Sequence, residues 1–360
     1  YLTMNSASCH APDEPSISTA TATSIIIRPF DETMVKEIMV PMRVLTAALF
    51  SMLFLAGGAS RADPLPLQTE QVFLHEDDHN LRRIGELEFV SGISISSTNR
   101  HFGGISDLHI FPDGRFLAIT DKGKWIRANL KHDEEGSLVG LVEGHIAALK
   151  TPKGKSLSGK KKSDAEGLTQ SPDGFLISFE RHHRIWSYGG TDPLNSRAEV
   201  ITAPGGLEDM PANGGLESLL QLKSGQLITF SEDLIAENGH TRGWLRTDGT
   251  WQPLFLTRSD DFAPTGMTRL GNGDVLVLER SYSVLKGPAA RIRLVDQATI
   301  KPGAILTGLE IGQLKGSMTV DNMEGISTMM TPEGERIYLI SDDNFNPLQR
   351  TLILMFRFAI

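Results

Sequence analysis

The sequence predicts an all-β protein folded as a β-propeller of six four-stranded antiparallel blades. Three observations predict it. One motif recurs five times along the chain, each copy holds a tight turn with Gly between apolar runs, and no amphipathic helical pattern exceeds two turns. Glycine and proline are frequent, at 35 and 18 of 360 residues, as a fold of many short strands and tight turns requires.

The first copy of the motif is Gly104-Ile105-Ser106-Asp107-Leu108, with a turn at Pro112-Asp113-Gly114 and a strand ending at Asp121. The second is Asp164-Ala165-Glu166-Gly167-Leu168, turning at Pro172-Asp173-Gly174 and ending at Glu180. The third is Gly215-Leu216-Glu217-Ser218-Leu219, turning at Ser224-Gly225 and ending at Glu232. The fourth is Pro264-Thr265-Gly266-Met267, turning at Asn272-Gly273 and ending at Glu279. The fifth is Asn322-Met323-Glu324-Gly325-Ile326, turning at Pro332-Glu333-Gly334 and ending at Asp342.

Each turn has a physical cause. Proline presets one dihedral, and Gly or Asn accepts the positive φ that follows. Every copy therefore predicts two antiparallel strands. Starts about 50 to 60 residues apart leave room for two more, the spacing of propeller blades. Division of the mature chain, residues 63–360, by about 50 residues per blade gives roughly six. The sixth is expected to be split between residues 87–95 and 351–356, so that pairing of the two ends removes a free sheet edge.

The N-terminal region reads as processing rather than fold. Met42-Arg43 precedes an apolar run from Val44 to Leu55 and a small-residue end at Ser60-Arg61-Ala62. A charge, a short apolar stretch and a small-x-small site are the parts of a secretory signal. The reading is an upstream extension over 1–41, a signal peptide over 42–62 cleaved after Ala62, and one propeller domain over 63–360. The expected location is periplasmic or secreted, with no stable membrane insertion after cleavage. The mature chain is expected to be a monomer. It would lack Cys9, the single cysteine, and with it disulfide or thiolate chemistry. A net charge of −9 argues against nucleic acid as a partner, because binding there is driven by cationic release of counterions.

A propeller brings equivalent positions of successive blades together around its axis. The repeated polar position then forms a ring of Asp107, Glu166, Glu217, Thr265 and Glu324. Confined carboxylates repel one another, and a hard divalent cation with oxygen ligands relieves that repulsion. Asp107, Glu166, Glu217 and Glu324 are the expected ligands of Ca²⁺, and Glu166, Glu217 and Glu324 the expected catalytic carboxylates. The alternative is that these acids bond backbone N–H groups of neighbouring blades. A second ring is expected at Asp121-Lys122, Glu180-Arg181-His182-His183, Glu232-Asp233, Glu279-Arg280 and Asp342-Asp343. Lys122, Arg181 and Arg280 there are candidates for binding a small anionic substrate, with His182 as a candidate general acid. Interblade salt bridges are the alternative. No Gly-x-Ser-x-Gly elbow, phosphate-binding Walker loop or His-Glu-x-x-His zinc motif occurs.

Gly-Ile-Ser-Asp-Leu at 104–108, Phe-Leu-Ala-Ile-Thr-Asp-Lys-Gly at 116–123, Asp-Ala-Glu-Gly-Leu at 164–168, Gly-Leu-Glu-Ser-Leu at 215–219 and Asn-Met-Glu-Gly-Ile-Ser at 322–327 together resemble the family described as esterase-like activity of phytase. The resemblance spans residues 89–358. It implies an exported propeller and suggests phosphoester hydrolysis with calcium. Thr265 departs from the repeated acid. A metal-dependent lactonase or carboxylesterase, and a non-catalytic envelope propeller that binds a ligand, are the competing expectations.

Overall fold

The computed structural model describes residues 62–359. Residues 1–61, with Cys9 and the proposed signal segment, lie outside the described residues. Among the described residues, no helix is long and apolar enough to cross a membrane.

The strands form five sheets, the blades of one propeller. Blade I contains Ile105–Ile110, Arg115–Thr120, Lys124–His132 and Leu138–Ala148, with Asp63–Pro64 on its outer edge. Blade II contains Ala165–Ser171, Gly174–Phe179, Arg184–Gly189 and Ala198–Ile201. Blade III contains Leu216–Gln221, Leu227–Ile235, Thr241–Thr247 and Thr250–Leu256, with Ile305–Leu306 added in parallel at the edge. Blade IV contains Ala263–Arg269, Val275–Ser283, Gly287–Val295 and Leu309–Leu314. Blade V runs Asn322–Thr331, Gly334–Asp342, Thr351–Phe358, Leu87–Ser96 and Gln68–Val72 from the axis outward.

The five motif copies are the five inner strands, and the blade count is five rather than six. The two chain ends do pair, Thr351–Phe358 against Leu87–Ser96, but they do so inside blade V. The fifth motif copy supplies only the inner two strands of its sheet. The ends supply the remaining strands and so create no further blade.

Alternation along each strand sends side chains to both faces of a blade, and both faces are covered. Five apolar clusters result, one between each adjacent pair of blades. Phe116, Ile126 and Tyr338 pack between V and I, and Trp125, Phe175 and Tyr188 between I and II. Leu216 and Trp244 meet Ile185 between II and III. Phe230 and Val277 share the III–IV cluster, and Leu278 and Leu339 the IV–V cluster. This burial holds the inner strands in fixed relation around the axis.

Each inner strand carries a bulge near its start. Pairing is interrupted around Ser106 in blade I, Glu217 in III, Thr265 in IV and Glu324 in V. In blade II the interruption spans Glu166 and Gly167. A bulge adds a residue to one strand and re-aims its side chain. The position after the bulge lies against the next inner strand. A Cβ on Gly325 would stand 2.8 Å from Asp107 Oδ1, and one on Gly266 would stand 2.8 Å from Glu324 O. Glycine there permits the close approach of neighbouring strands.

Candidate active site at the upper mouth of the channel

The bulges define the true equivalence of the blades. Ser106, Glu166, Glu217, Thr265 and Glu324 occupy the bulge position around the axis. Asp107 therefore falls one residue later than the ring expected from the sequence, in register with Gly167, Ser218, Gly266 and Gly325. Its carboxylate accepts N–H bonds from Leu108 at 2.8 Å and from Leu168 of blade II at 2.7 Å. Burial pushes Asp107 well above the usual carboxylate range, opposed by the N–H groups of Leu168, Leu108 and Ile326. Those groups belong to blades II, I and V, so Asp107 ties three blades together. That is the alternative foreseen for the acids, realised at Asp107. Thr265 likewise turns to the fold, its hydroxyl donating to Met323 O at 3.1 Å.

Glu166, Glu217 and Glu324 do converge. Burial pushes the Glu166 carboxyl well above its ordinary value, with Glu217, Asp164, Glu180 and Glu324 adding repulsion. Burial, then Glu232 and Glu324, do the same to Glu217. Glu324 is pushed up to about 7 by burial, although Arg280 opposes the shift.

A second ring stands above the first, and strand pairing again corrects its membership. Asp121, Glu180 and Glu232 donate their backbone N–H groups to Gly104, Asp164 and Gly215 at 2.9, 2.9 and 3.1 Å. Arg280 pairs with Ala263 in blade IV, and Asp342 with Asn322 in blade V. The ring is therefore Asp121, Glu180, Glu232, Arg280 and Asp342. Glu279 belongs one residue earlier and leaves the channel. It is buried between Arg291 and Arg293, which donate to its two oxygens at 2.6 Å each.

Arg280 takes the place of an acid and is held by acids. It donates to Glu232 Oε1 at 2.8 Å and to Asn322 Oδ1, and lies 3.3 Å from Glu324 Oε1. Asn322 Nδ2 donates to the same Glu324 oxygen at 2.6 Å. The Glu324 charge raises Arg280 further above its ordinary value. Burial and Glu324 push Asp342 up to about 8, and burial with Asp164 pushes Asp121 up to about 6.

The remaining expected site residues fall at the rim. Arg181 adopts a left-handed backbone, with φ of 59°, at the turn after Gly174–Phe179, and its Nε pairs with Asp164. Lys122 is exposed and stands over the Phe345 ring. His182 is exposed, whereas His183 folds back, its ring bonded to Pro211 O at 3.1 Å. Glu180 accepts the N–H groups of Gly214 and Gly215, the latter at 3.2 Å. Asp164, Glu166 and Glu180 then place one oxygen each within 4.8 Å of one another. An all-oxygen set of mutually repelling carboxylates, two buried and one half-buried, fits a hard divalent cation such as Ca²⁺. The ligand set expected from the sequence, Asp107, Glu166, Glu217 and Glu324, does not join Asp164 and Glu180 to Glu166. The signal was present in the motif, since an acid two residues before the bulge occurs only in blade II.

No curated protein matches the sequence. Among solved structures, a thermostable family-43 glycoside hydrolase is similar with a TM-score of 0.42 and 10% identity, over 71% of this chain and 91% of that one. Virginiamycin B lyase from Staphylococcus aureus gives 0.37 and 10%, over 82% and 100%. The WD40 β-propeller domain of Doa1 gives 0.35 and 9%, over 76% and 98%. The phytase-like family, described as esterase-like activity of phytase, matches residues 100–345, from the first inner strand through the last site loop, and the chain belongs to that family.

Proposed function

We propose that the protein is an exported hydrolase of phosphate esters, acting in the periplasm or outside the cell with a divalent cation, Ca²⁺, at the upper mouth of the channel. One observation carries the reading. Asp121, Asp164, Glu166, Glu180, Glu217, Glu232, Glu324 and Asp342 crowd one mouth, and Arg181 and Arg280 among them are already paired with acids, while Lys122, Lys160, Arg258 and Arg350 stand nearby. Such an excess of buried acid calls for a cation.

Asp164, Glu166 and Glu180 would hold the ion, which when bound would neutralise charge on the phosphoryl oxygens. Glu217 and Glu324 face the same space. A carboxyl near 7, as in Glu324, exchanges its proton at neutral pH and suits general acid–base work. Hydrolysis needs a proton taken from the attacking water as its oxygen bonds phosphorus, and a proton given to the departing ester oxygen as the P–O bond breaks. Glu217, Glu324 and Asp342 are the groups placed to exchange those protons. Arg280, fixed by Glu232 and Asn322, would orient the anionic substrate.

A carboxylic ester or lactone is the second reading. It is favoured by the pairing of both arginines with carboxylates, which leaves less free positive charge for a phosphate. A chromogenic phosphate ester and a chromogenic lactone, each assayed with Ca²⁺ and with EGTA, separate the two. Phosphate ester turnover that EGTA abolishes and that Glu166→Gln lowers at least 100-fold is the expected result. Turnover of the lactone alone would establish the second reading. Retention of full activity in EGTA would remove the cation. Mass spectrometry of the periplasmic fraction, expected to find Asp63 as the N-terminal residue, tests export.

A further inference from the structure

The opposite mouth of the channel has different chemistry. The inner strands end there in His109, Thr169, Gln221, Arg269, Ser327 and Thr328, which line a cavity of about 200 Å³. That volume holds several water molecules. The hydroxyls are committed to joining blades. Thr169 Oγ1 accepts the Gln221 N–H at 3.0 Å, and Ser327 Oγ accepts the Ile110 N–H at 3.0 Å. Thr328 donates to Arg269 O at 2.9 Å.

Three groups are left over. Arg269 spends one N–H on Gln221 O at 2.8 Å. Burial lowers its pKa, and no neighbouring charge offsets that effect. Gln221 donates its amide to Gly225 O at 3.3 Å, which fixes the amide and leaves Oε1 buried without a partner. His109 is wedged edge-on against Phe111 and Phe175, and its Nε2 is buried without a partner. Burial beside Arg115 and Arg269 lowers its pKa to about 4, so the ring is neutral at physiological pH.

The cavity thus offers an uncompensated guanidinium, a neutral imidazole and a lone amide acceptor. A fully deprotonated oxyanion would satisfy the guanidinium but would have no hydrogen for Gln221. Hydrogen phosphate has both kinds of group, P–O⁻ acceptors and a P–OH donor. We propose that the lower mouth of the channel binds a protonated phosphate group, with Arg269 and His109 on its oxygens and its P–OH donating to Gln221 Oε1. The site is separate from the acidic mouth and independent of the reaction assigned there.

The test is imidazole ¹H–¹⁵N correlation NMR on the full chain in EDTA, which prevents cation-held phosphate at the upper mouth. Inorganic phosphate should shift the His109 resonances saturably and leave His182 and His183 unmoved. Sulfate at matched ionic strength should leave His109 in place. Glycerol 3-phosphate distinguishes sources: a matching shift assigns the site to phosphomonoesters, and its absence to free phosphate. Arg269→Gln should weaken binding at least tenfold. Gln221→Glu, nearly isosteric, should abolish binding through charge repulsion. An unmoved His109 in phosphate, an equal shift with sulfate, or unchanged affinity in Gln221→Glu would overturn the assignment.

Discussion

Blade IV differs from the other four, and the contrast shows how this site is built. Blades I, II, III and V each place a carboxylate in the upper ring, at Asp121, Glu180, Glu232 and Asp342. Blade IV places Arg280 there. At the bulge, blades II, III and V carry glutamates, while blade IV carries Thr265, bonded to the backbone of blade V. Its own acid, Glu279, has moved one residue back and is buried with two arginines. The strand frame repeats five-fold but the charge does not. One blade anchors a cation-bearing side chain among the acids of the rest.

Breaking that contrast most severely requires removing Glu279. Glu279→Gln would leave Arg291 and Arg293 buried without their shared counter-ion, at a cost of about 3–5 kcal/mol. Urea unfolding would show the loss, and an unchanged midpoint would refute the buried pairing.

The acids of the other blades should reveal themselves through pH. Glu324, Asp342 and Asp121 bind protons more tightly in the fold than in the unfolded chain. Between about pH 4 and 8 the native state therefore holds more protons than the unfolded state, and stability falls as pH rises. In EDTA, the melting temperature should drop by several degrees from pH 5 to pH 8. Ca²⁺ should restore it at pH 8 and release protons on binding. A flat profile without the ion would mean that these carboxyls are not confined.

Asp107 sharpens the distinction between acids that serve the fold and acids that serve the site. Asp107→Asn turns an NH₂ group toward one of two backbone N–H donors and should destabilise by about 1–3 kcal/mol. Ca²⁺ affinity should change less than twofold, measured by calorimetry. The smallest effect is expected at Arg280. Arg280→Gln removes a positive charge from the acid cluster and should tighten Ca²⁺ binding roughly tenfold, about 1.4 kcal/mol, while raising KM for an anionic ester.

The propeller was legible because its signals are local. Pro-Asp-Gly, Pro-Glu-Gly, Ser-Gly and Asn-Gly turns, flanked by apolar runs, mark all five inner hairpins where the structure has them. The pairing of the chain ends was also legible, from the apolar runs at 87–95 and 351–356. Blade number was not, because motif spacing does not say which sheet a terminal strand joins. The convergence of Glu166, Glu217 and Glu324 around the axis was legible, each preceding a small residue in the same local context. Ring position was not legible at Asp107 and Glu279, where residue type suggested equivalence and strand register denied it. A bulge moves a side chain from one ring to another, and only pairing with the neighbouring strand fixes its position. The fates of His182 and His183 are set by the turn that begins at Arg181, with its positive φ: His182 is exposed and the His183 ring bonds Pro211 O.

Blade V has a consequence for the birth of the molecule. Its third strand, Thr351–Phe358, is made after every other strand of the propeller, yet Leu352 through Phe356 are fully enclosed between strands synthesised hundreds of residues earlier and just before. A growing chain can assemble blades I to IV only into an open arc, with apolar flanks of blades I and IV still wet. The circle locks when the final segment slides between Leu87–Ser96 and Gly334–Asp342. Loss of that one strand would leave the toroid without its clasp.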